Sequence, residues 1–295
     1  MNSNRMLTNR KNIIFQAEKH PLETRHIHTT LESYCLELVH RKAYEEVAIM
    51  SKGLKVLDYG CNDGYGTYII SNYCKEVIGI DVSAIAIKNA KEKYGQQGIE
   101  FHLFDGKRTS FDDKFFDRVV SLQVIEHIID YDDYLNEIKR ILTKDGVVLF
   151  TTPNATIRLD PGMKPLNPFH VKEFTPIELN NLLKKYFNKV EIRGLFATDV
   201  LYNVEYNRLK KGLERARKKP IFPSPWKIKA AFVNGVKAIL PNCIYYITKR
   251  AFNRLEMGAK RLDKSVMTKY STNDFFYLEN NLEQSLDLMA ICSVR

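Results

Sequence analysis

Between residues 55 and 151, short apolar runs alternate with amphipathic stretches. Strands are predicted at 55–59, 76–80, 99–104, 116–124 and 146–151, and helices at 65–74, 83–94 and 131–142. The run Val147-Val148-Leu149-Phe150 is continuous, which is typical of a strand covered on both faces. Strands that alternate with helices at this spacing pair in parallel through right-handed crossovers, so the pattern predicts an α/β sandwich.

Beyond residue 151 the pattern continues once and then breaks. Thr175 and Glu178 can form a capping box around Pro176, which predicts a helix running to about Phe187. Further strands are predicted at 190–196 and 285–294. The stretch 198–284 between them is far too long for a hairpin, so we expect a helical insertion before the last strand. The predicted domains are a helical lid over 1–54, a core of 55–197 with 285–295, and the insertion 198–284.

The charge of the chain is concentrated in that insertion. The 295 residues carry a net charge of +10, and residues 198–284 hold 17 Lys and Arg against 8 Asp and Glu. Two amphipathic stretches over 226–255, which begin with Trp226, suit an anionic membrane surface. The equal alternative is a pair of surface helices that pack on the domain or across a homo-oligomer interface. Nucleic acid is not expected as a partner, because no RNA-binding fold signature is present.

The location of the protein follows from what the chain lacks. Residues 1–15 show no apolar run of the kind found in signal peptides, and the five cysteines form no CxxC pair. We therefore predict a cytoplasmic protein, with a peripheral position at the inner face of the membrane left open by the basic insertion. No metal is expected, because His26 and His28 alternate without an acidic partner nearby.

A glycine-bearing turn follows the first strand. Asp58 ends the strand, Gly60, Gly64 and Gly66 follow, and a helix opens immediately after them. Glycines let the backbone approach a ligand, and the free amides of a helix N-terminus point towards it. Two more carboxylates end the next strands, Asp81 and Asp105. An acid at the tip of each of three successive strands fits a nucleoside laid across the carboxyl edge of the sheet, with Asp81 placed to accept the ribose hydroxyls.

These residues resemble the class I S-adenosylmethionine (SAM)-dependent methyltransferases. The first motif of that family is acid, any, Gly, any, Gly, any, Gly, and here Asn62 replaces the central glycine, a residue that tolerates the left-handed region. The resemblance implies a Rossmann-like sandwich with a seven-stranded, mostly parallel sheet whose last strand is antiparallel. It also implies SAM as cofactor, held by Asp58, Gly60, Cys61, Asn62, Gly64, Tyr65, Asp81, Val82, Asp105, Gly106 and Gln123.

A NAD-dependent dehydrogenase is the competing interpretation of the turn. The glycines of such a dehydrogenase are spaced GxGxxG. Here the corresponding positions, Gly60, Asn62, Gly64 and Gly66, follow one another at every second residue. The acid that precedes them would repel a pyrophosphate and suits a cationic ligand.

The acceptor side is predicted from two further segments. Glu126 and His127 follow the fourth strand and look like the family motif that ends in Glu-His, although they could simply cap the loop. His170 lies in a later loop and is the candidate general base for an acceptor hydroxyl, the alternative being a hydrogen bond to the loop backbone. The candidate catalytic residues are therefore His170, His127 and Glu126.

The loops around Asn154 and His170 resemble a bacterial subgroup of methyltransferases from glycan, capsule and O-antigen biosynthesis. This resemblance implies methyl transfer to a sugar hydroxyl, with a glycan or small molecule as acceptor. Methylation of a quinone or another small hydroxylated metabolite is the alternative within the class. A non-catalytic SAM-binding scaffold is the alternative outside it.

Overall fold

The computed structural model describes residues 28–218 and 262–295. Most of the predicted lid before its main helix, and the amphipathic stretches of 226–255, lie outside the described residues, so their role at a membrane stays a prediction. The strands are β1 (Lys55–Tyr59), β2 (Glu76–Asp81), β3 (Glu100–Leu103), β4 (Phe116–Leu122), β5 (Leu142–Pro153), β6 (Lys189–Ala197), β7 (Phe275–Leu278) and β8 (Asp287–Ser293). The helices are α1 (Leu31–Met50), α2 (Tyr65–Ser71), α3 (Ala84–Tyr94), α4 (Tyr131–Ile141), α5 (Ala155–Arg158), α6 (Pro176–Leu183), α7 (Asp199–Arg217) and α8 (Lys264–Lys269).

Side-chain caps explain where several helices begin. Ser83 accepts a hydrogen bond from the amide of Ala86 at the start of α3, and Asp130 accepts one from Asp133 at the start of α4. The predicted capping box of Thr175 and Glu178 is formed at α6. The helix ends at Leu183 and not near Phe187, because the chain then turns into β6.

The strands form one sheet in the order β3-β2-β1-β4-β5-β8-β6-β7. Strands β1 to β5 are parallel, and β8 runs antiparallel to both β5 and β6. The Rossmann-like sandwich with an antiparallel last strand is thus confirmed. The count of seven strands was short by one, because β7, from within the predicted insertion, pairs antiparallel with β6 at the sheet edge.

Both faces of the sheet are buried. Along β5, Val148 and Phe150 belong to one hydrophobic cluster and Leu149 belongs to another. This alternation shows that each face has a core of its own, as the continuous apolar run predicted. Helix α1 closes the second core by packing Tyr44 directly onto Gly66, where a Cβ atom would overlap the tyrosine ring.

The described part of the insertion packs onto the domain. Leu201 and Leu209 of α7 join α1 and Phe275 of β7 in a third hydrophobic cluster. Helix α7 therefore forms part of the wall around the carboxyl edge of the sheet. Among residues 28–218 and 262–295, no helix combines the length and the hydrophobicity that crossing a membrane requires.

Candidate active site

A cavity of about 610 Å³ lies at the carboxyl ends of the parallel strands. Strands β1 and β4 are neighbours here although they are distant in sequence, and such a switch point is where open α/β sheets bind ligands. The predicted residues that line the cavity are Gly60, Asn62, Asp81, Val82, Asp105, Gly106, Gln123, Glu126, His127 and His170. The fold thus brings ten of the predicted site residues onto one concave surface.

The turn after β1 has the backbone that the motif requires. Asn62 adopts a φ of 46°, so the asparagine takes the left-handed conformation that the central glycine would have taken. Gly60 has a φ of 92°, and a Cβ atom there would lie 2.5 Å from Cγ2 of Val124. Gly60 therefore allows the loop after β4 to close onto the turn.

Asp81 is the best-placed carboxylate of the cavity. Its Oδ1 accepts a hydrogen bond from the amide of Ser83 at 2.8 Å, and its Oδ2 accepts one from the amide of Asn62 at 2.9 Å. Burial raises the pKa of Asp81, and these amide bonds oppose the rise. Each carboxylate oxygen can accept a second hydrogen bond, so the pair suits the two hydroxyls of a ribose.

The carboxyl end of β3 is more open. Asp105 is exposed and accepts a hydrogen bond from the amide of Lys107 at 2.9 Å. Gly106 follows with a φ of 82°, a conformation that favours glycine. A ligand edge can approach the backbone here without meeting a side chain.

Gln123 contacts Asp287, a cavity residue that was not predicted from the sequence. It has a φ of 57°, and its side-chain amide donates to Oδ2 of Asp287 at 3.1 Å. Asp287 is the first residue of β8, and burial raises its pKa to about 7. Nothing in the sequence pairs these two residues, because 164 positions separate them.

Four predicted cofactor residues do not line the cavity: Asp58, Cys61, Gly64 and Tyr65. Asp58 is fully buried, and the hydroxyl of Thr67 donates to its Oδ2 at 2.7 Å. Oδ1 has no hydrogen-bond partner among the described residues. Burial raises the pKa of Asp58 to about 7, with the Thr67 hydrogen bond opposing the rise. Asp58 is therefore a desolvated carboxyl that ties the end of β1 to the helix after the turn through Thr67.

Replacing Asp58 by asparagine should change stability in a pH-dependent way. The folded pKa lies above the unfolded value, so ionisation in the unfolded state destabilises the wild type as pH rises from about 4 to 7. The variant has no carboxyl group at position 58, so this loss of stability does not occur in it. Its free energy of unfolding relative to the wild type should increase by roughly 2–3 kcal/mol between pH 5 and pH 8. Urea unfolding of the ligand-free proteins measures this difference in the free energy of unfolding, and Asp112→Asn, at an exposed position, is the control. A difference that does not change with pH would contradict the prediction.

Glu126, His127 and His170 converge on one part of the cavity lining and are called the acceptor cluster below. The ring centroids of the two histidines are 4.8 Å apart in an edge-to-face arrangement. One possible ligand atom from each of the three residues lies within 4.8 Å of the others. No metal site was expected from the sequence, because only the fold brings His170 from another loop to Glu126 and His127.

The surroundings set the protonation of the acceptor cluster. Glu126 is 1% exposed, and burial raises its pKa to about 8, although the hydroxyl of Thr152 donates to its Oε2 at 3.1 Å. Burial, together with the nearby His170, lowers the pKa of His127 to about 4. His127 is therefore neutral at physiological pH.

His170 is held by an ion-pair chain that the sequence analysis did not find. Its Nδ1 lies 2.7 Å from Oε1 of Glu173, and Nε of Arg158 donates to Oε2 of the same carboxylate at 3.0 Å. Burial acts to raise the pKa of Glu173, but the bonds to His170 and Arg158 hold it below its usual value. The carboxylate fixes the imidazole with its proton on Nδ1. The spacing of His170 and Glu173 was visible in the sequence; the approach of Arg158 was not.

Further residues on the acceptor side come from α1 and α7. His40 lies on α1, while Glu205 and Arg208 lie on α7, where the Nε of Arg208 donates to Glu205 at 2.7 Å. Tyr44 of α1 also lines the cavity, whereas Arg41 of the same helix pairs with Glu45 on the helix surface. Helices outside the core domain thus complete this wall.

The chain is similar to several known proteins. Residues 57–150 match the family described as Methyltransferase domain. A Mycolicibacterium smegmatis protein described as a probable SAM-dependent methyltransferase is 31% identical over 189 residues, which are 63% of this chain and 72% of that protein. A ubiquinone biosynthesis O-methyltransferase from Pelagibacter ubique is 29% identical over 109 residues, 36% of this chain and 45% of that enzyme. The crystal structure of a SAM-dependent methyltransferase from Mesorhizobium loti superposes with a TM-score of 0.45 at 17% identity, covering 57% of this chain and 89% of that one.

Proposed function

The chain belongs to the SAM-dependent methyltransferases, and from this membership we propose that it methylates a hydroxyl of a sugar within a glycan. SAM is the cofactor of the family, and when bound it supplies a methyl group already activated on a sulfonium. The protein then has two tasks, which are to align an acceptor oxygen with that methyl and to take up the proton of the hydroxyl. The described residues suit both tasks.

The observation that carries the proposal is that one cavity holds both sets of residues. The turn at Gly60, the carboxylate of Asp81 and the imidazole of His170 all line it. An acceptor at the acceptor cluster would therefore face a cofactor held by Asp81. Glu126, which is almost fully buried, lines the place where the proton leaves.

Polar side chains favour a sugar as the acceptor. Four charged side chains also line the cavity: Arg158, Glu205, Arg208 and Asp287. They offer donors and acceptors in several directions, as a ring with many hydroxyls needs. The resemblance of the loops around Asn154 and His170 to glycan methyltransferases points the same way.

A small hydroxylated metabolite, such as a quinone precursor, is the second candidate. Leu36, Val39, Ile128 and Ile129 also line the cavity and could contact a flat apolar ring. The similarity to the ubiquinone biosynthesis O-methyltransferase supports this alternative.

One assay separates the two candidates. The untagged protein is incubated with SAM and either bacterial surface-glycan extracts or a panel of catechols, and S-adenosylhomocysteine is measured by mass spectrometry. We expect turnover with the glycans and a glycan fragment that gains one methyl group. Turnover confined to the catechols would show that the acceptor is a small hydroxylated metabolite and not a sugar. SAM binding without turnover on either set would contradict the proposal.

A further inference from the structure

The acceptor cluster has the composition of a metal site. It combines two imidazoles with one carboxylate, and one ligand atom of each lies within 4.8 Å of the others. Ligand atoms that share a cation at bonds of about 2.1 Å lie roughly 3 to 4 Å apart, so a small side-chain adjustment closes the set. We propose that Glu126, His127 and His170 bind one divalent transition-metal cation.

The hydrogen bonds around both histidines support ligation. The carbonyl oxygen of Phe169 lies 3.1 Å from Nδ1 of His127, and Glu173 lies 2.7 Å from Nδ1 of His170. A carbonyl and a carboxylate accept hydrogen bonds, so each ring carries its proton on Nδ1 and its lone pair on Nε2. Metal-binding histidines are characteristically held this way, with the second nitrogen donating to a carbonyl or carboxylate.

Glu126 supplies an independent observation. Its side chain is almost fully buried, and Oε1 has no hydrogen-bond partner among the described residues. Buried polar atoms are rarely left without a partner, because the loss of their hydrogen bonds to water is then uncompensated. A cation between Oε1 and the two imidazoles would satisfy this atom.

The ligand set indicates which cation binds. Two imidazoles and one carboxylate suit Mn²⁺, Fe²⁺, Co²⁺ or Zn²⁺, whereas Mg²⁺ and Ca²⁺ prefer sites made of oxygen atoms. Three protein ligands leave coordination positions open towards the cavity. Adjacent hydroxyls of a sugar could occupy them.

The role of the cation rests on the proposed function, whereas its binding does not. A hydroxyl oxygen bound to the cation becomes more acidic, releases its proton to water and attacks the methyl carbon as an alkoxide. The carbon–sulfur bond of SAM breaks as the oxygen–carbon bond forms. In this state His170 acts as a ligand, and the cation takes the place of the predicted general base.

Binding can be measured without any acceptor. The untagged full chain is stripped with a chelator and titrated into Mn²⁺ while electron paramagnetic resonance follows the free ion. We expect one bound Mn²⁺ per chain, displaced by Zn²⁺ and not by equal Mg²⁺. Pulsed measurements on bound Mn²⁺ should show nitrogen couplings from imidazole. No uptake of Mn²⁺ or Zn²⁺ by the wild type, or uptake without nitrogen coupling, would overturn the site.

Variants assign the ligands. Glu126→Gln and His170→Asn should each weaken Mn²⁺ binding at least tenfold, and Glu173→Gln should weaken it by about 10- to 100-fold through the orientation of His170. His102→Asn is the matched control, because His102 also lies beside a carboxylate, Glu100 at 3.0 Å, but on the exposed surface. Binding of S-adenosylhomocysteine confirms that each variant is folded. Equal Mn²⁺ affinity in Glu126→Gln and the wild type would refute the assignment.

The two proposals fail in different ways. If the stripped protein methylates glycans at the full rate, the cation has no role and the sugar methyltransferase stands. If the cation binds but no hydroxyl acceptor is methylated, the metal site stands and the proposed function falls.

Discussion

Replacing Asp81 by alanine should weaken the binding of S-adenosylhomocysteine by roughly 10²- to 10³-fold. The carboxylate lines the cavity, and each oxygen already accepts one backbone amide, leaving one more lone pair for a ribose hydroxyl. A hydrogen bond to a charged group contributes about 1.5–3 kcal/mol, so the loss of two gives a change of this size after partial replacement by water. Isothermal titration calorimetry measures the affinity directly.

Two further variants separate the ligand contact from the support of the turn. Asp81→Asn keeps the shape and one oxygen acceptor, so affinity should fall by at least tenfold, and its melting temperature measures how much the one lost backbone hydrogen bond contributes to the turn. Asp105→Asn changes the exposed carboxylate at the next strand tip and should cost only a few-fold. An unchanged affinity in Asp81→Ala would remove Asp81 from the cofactor site.

Replacing His170 by asparagine should lower kcat by about 10²- to 10⁴-fold and leave the affinity for SAM unchanged. Loss of a group that takes part in proton removal has an effect of this size. The turn at Gly60 is not among the contacts of the imidazole, which bonds to Glu173 and packs against His127, so the affinity for the cofactor should be spared. Steady-state kinetics with the accepted substrate and calorimetry with S-adenosylhomocysteine give the two quantities.

The neighbour of His170 provides a graded comparison. Glu173→Gln keeps the packing but weakens the hold on Nδ1, so kcat should fall by about 10- to 100-fold, less than in His170→Asn. The exposed His102 serves as the control, and His102→Asn should retain the wild-type rate. A wild-type kcat in His170→Asn would show that the histidine only supports its loop.

The cofactor side was accessible from the sequence because its determinants are local. The apolar run of β1, the left-handed turn at Asn62 and the cap of α3 at Ser83 each depend on a few neighbouring residues. Parallel pairing then brings the ends of β1, β2 and β3 to one edge without further information. The same local patterns could not show that Asp58 is buried and does not line the cavity, since burial depends on what packs above the turn.

The order of strands and helices, the glycine-bearing turn and the membership of the methyltransferase family were therefore determined by the sequence itself, through periodicity and short-range backbone preferences. Tertiary structure alone decided the eighth strand, the wall supplied by α7, and the meeting of Arg158, Glu173 and Asp287 around the acceptor cluster. Those residues come from distant parts of the chain. Their approach depends on how whole elements pack, which no local pattern of hydrophobic and polar residues encodes.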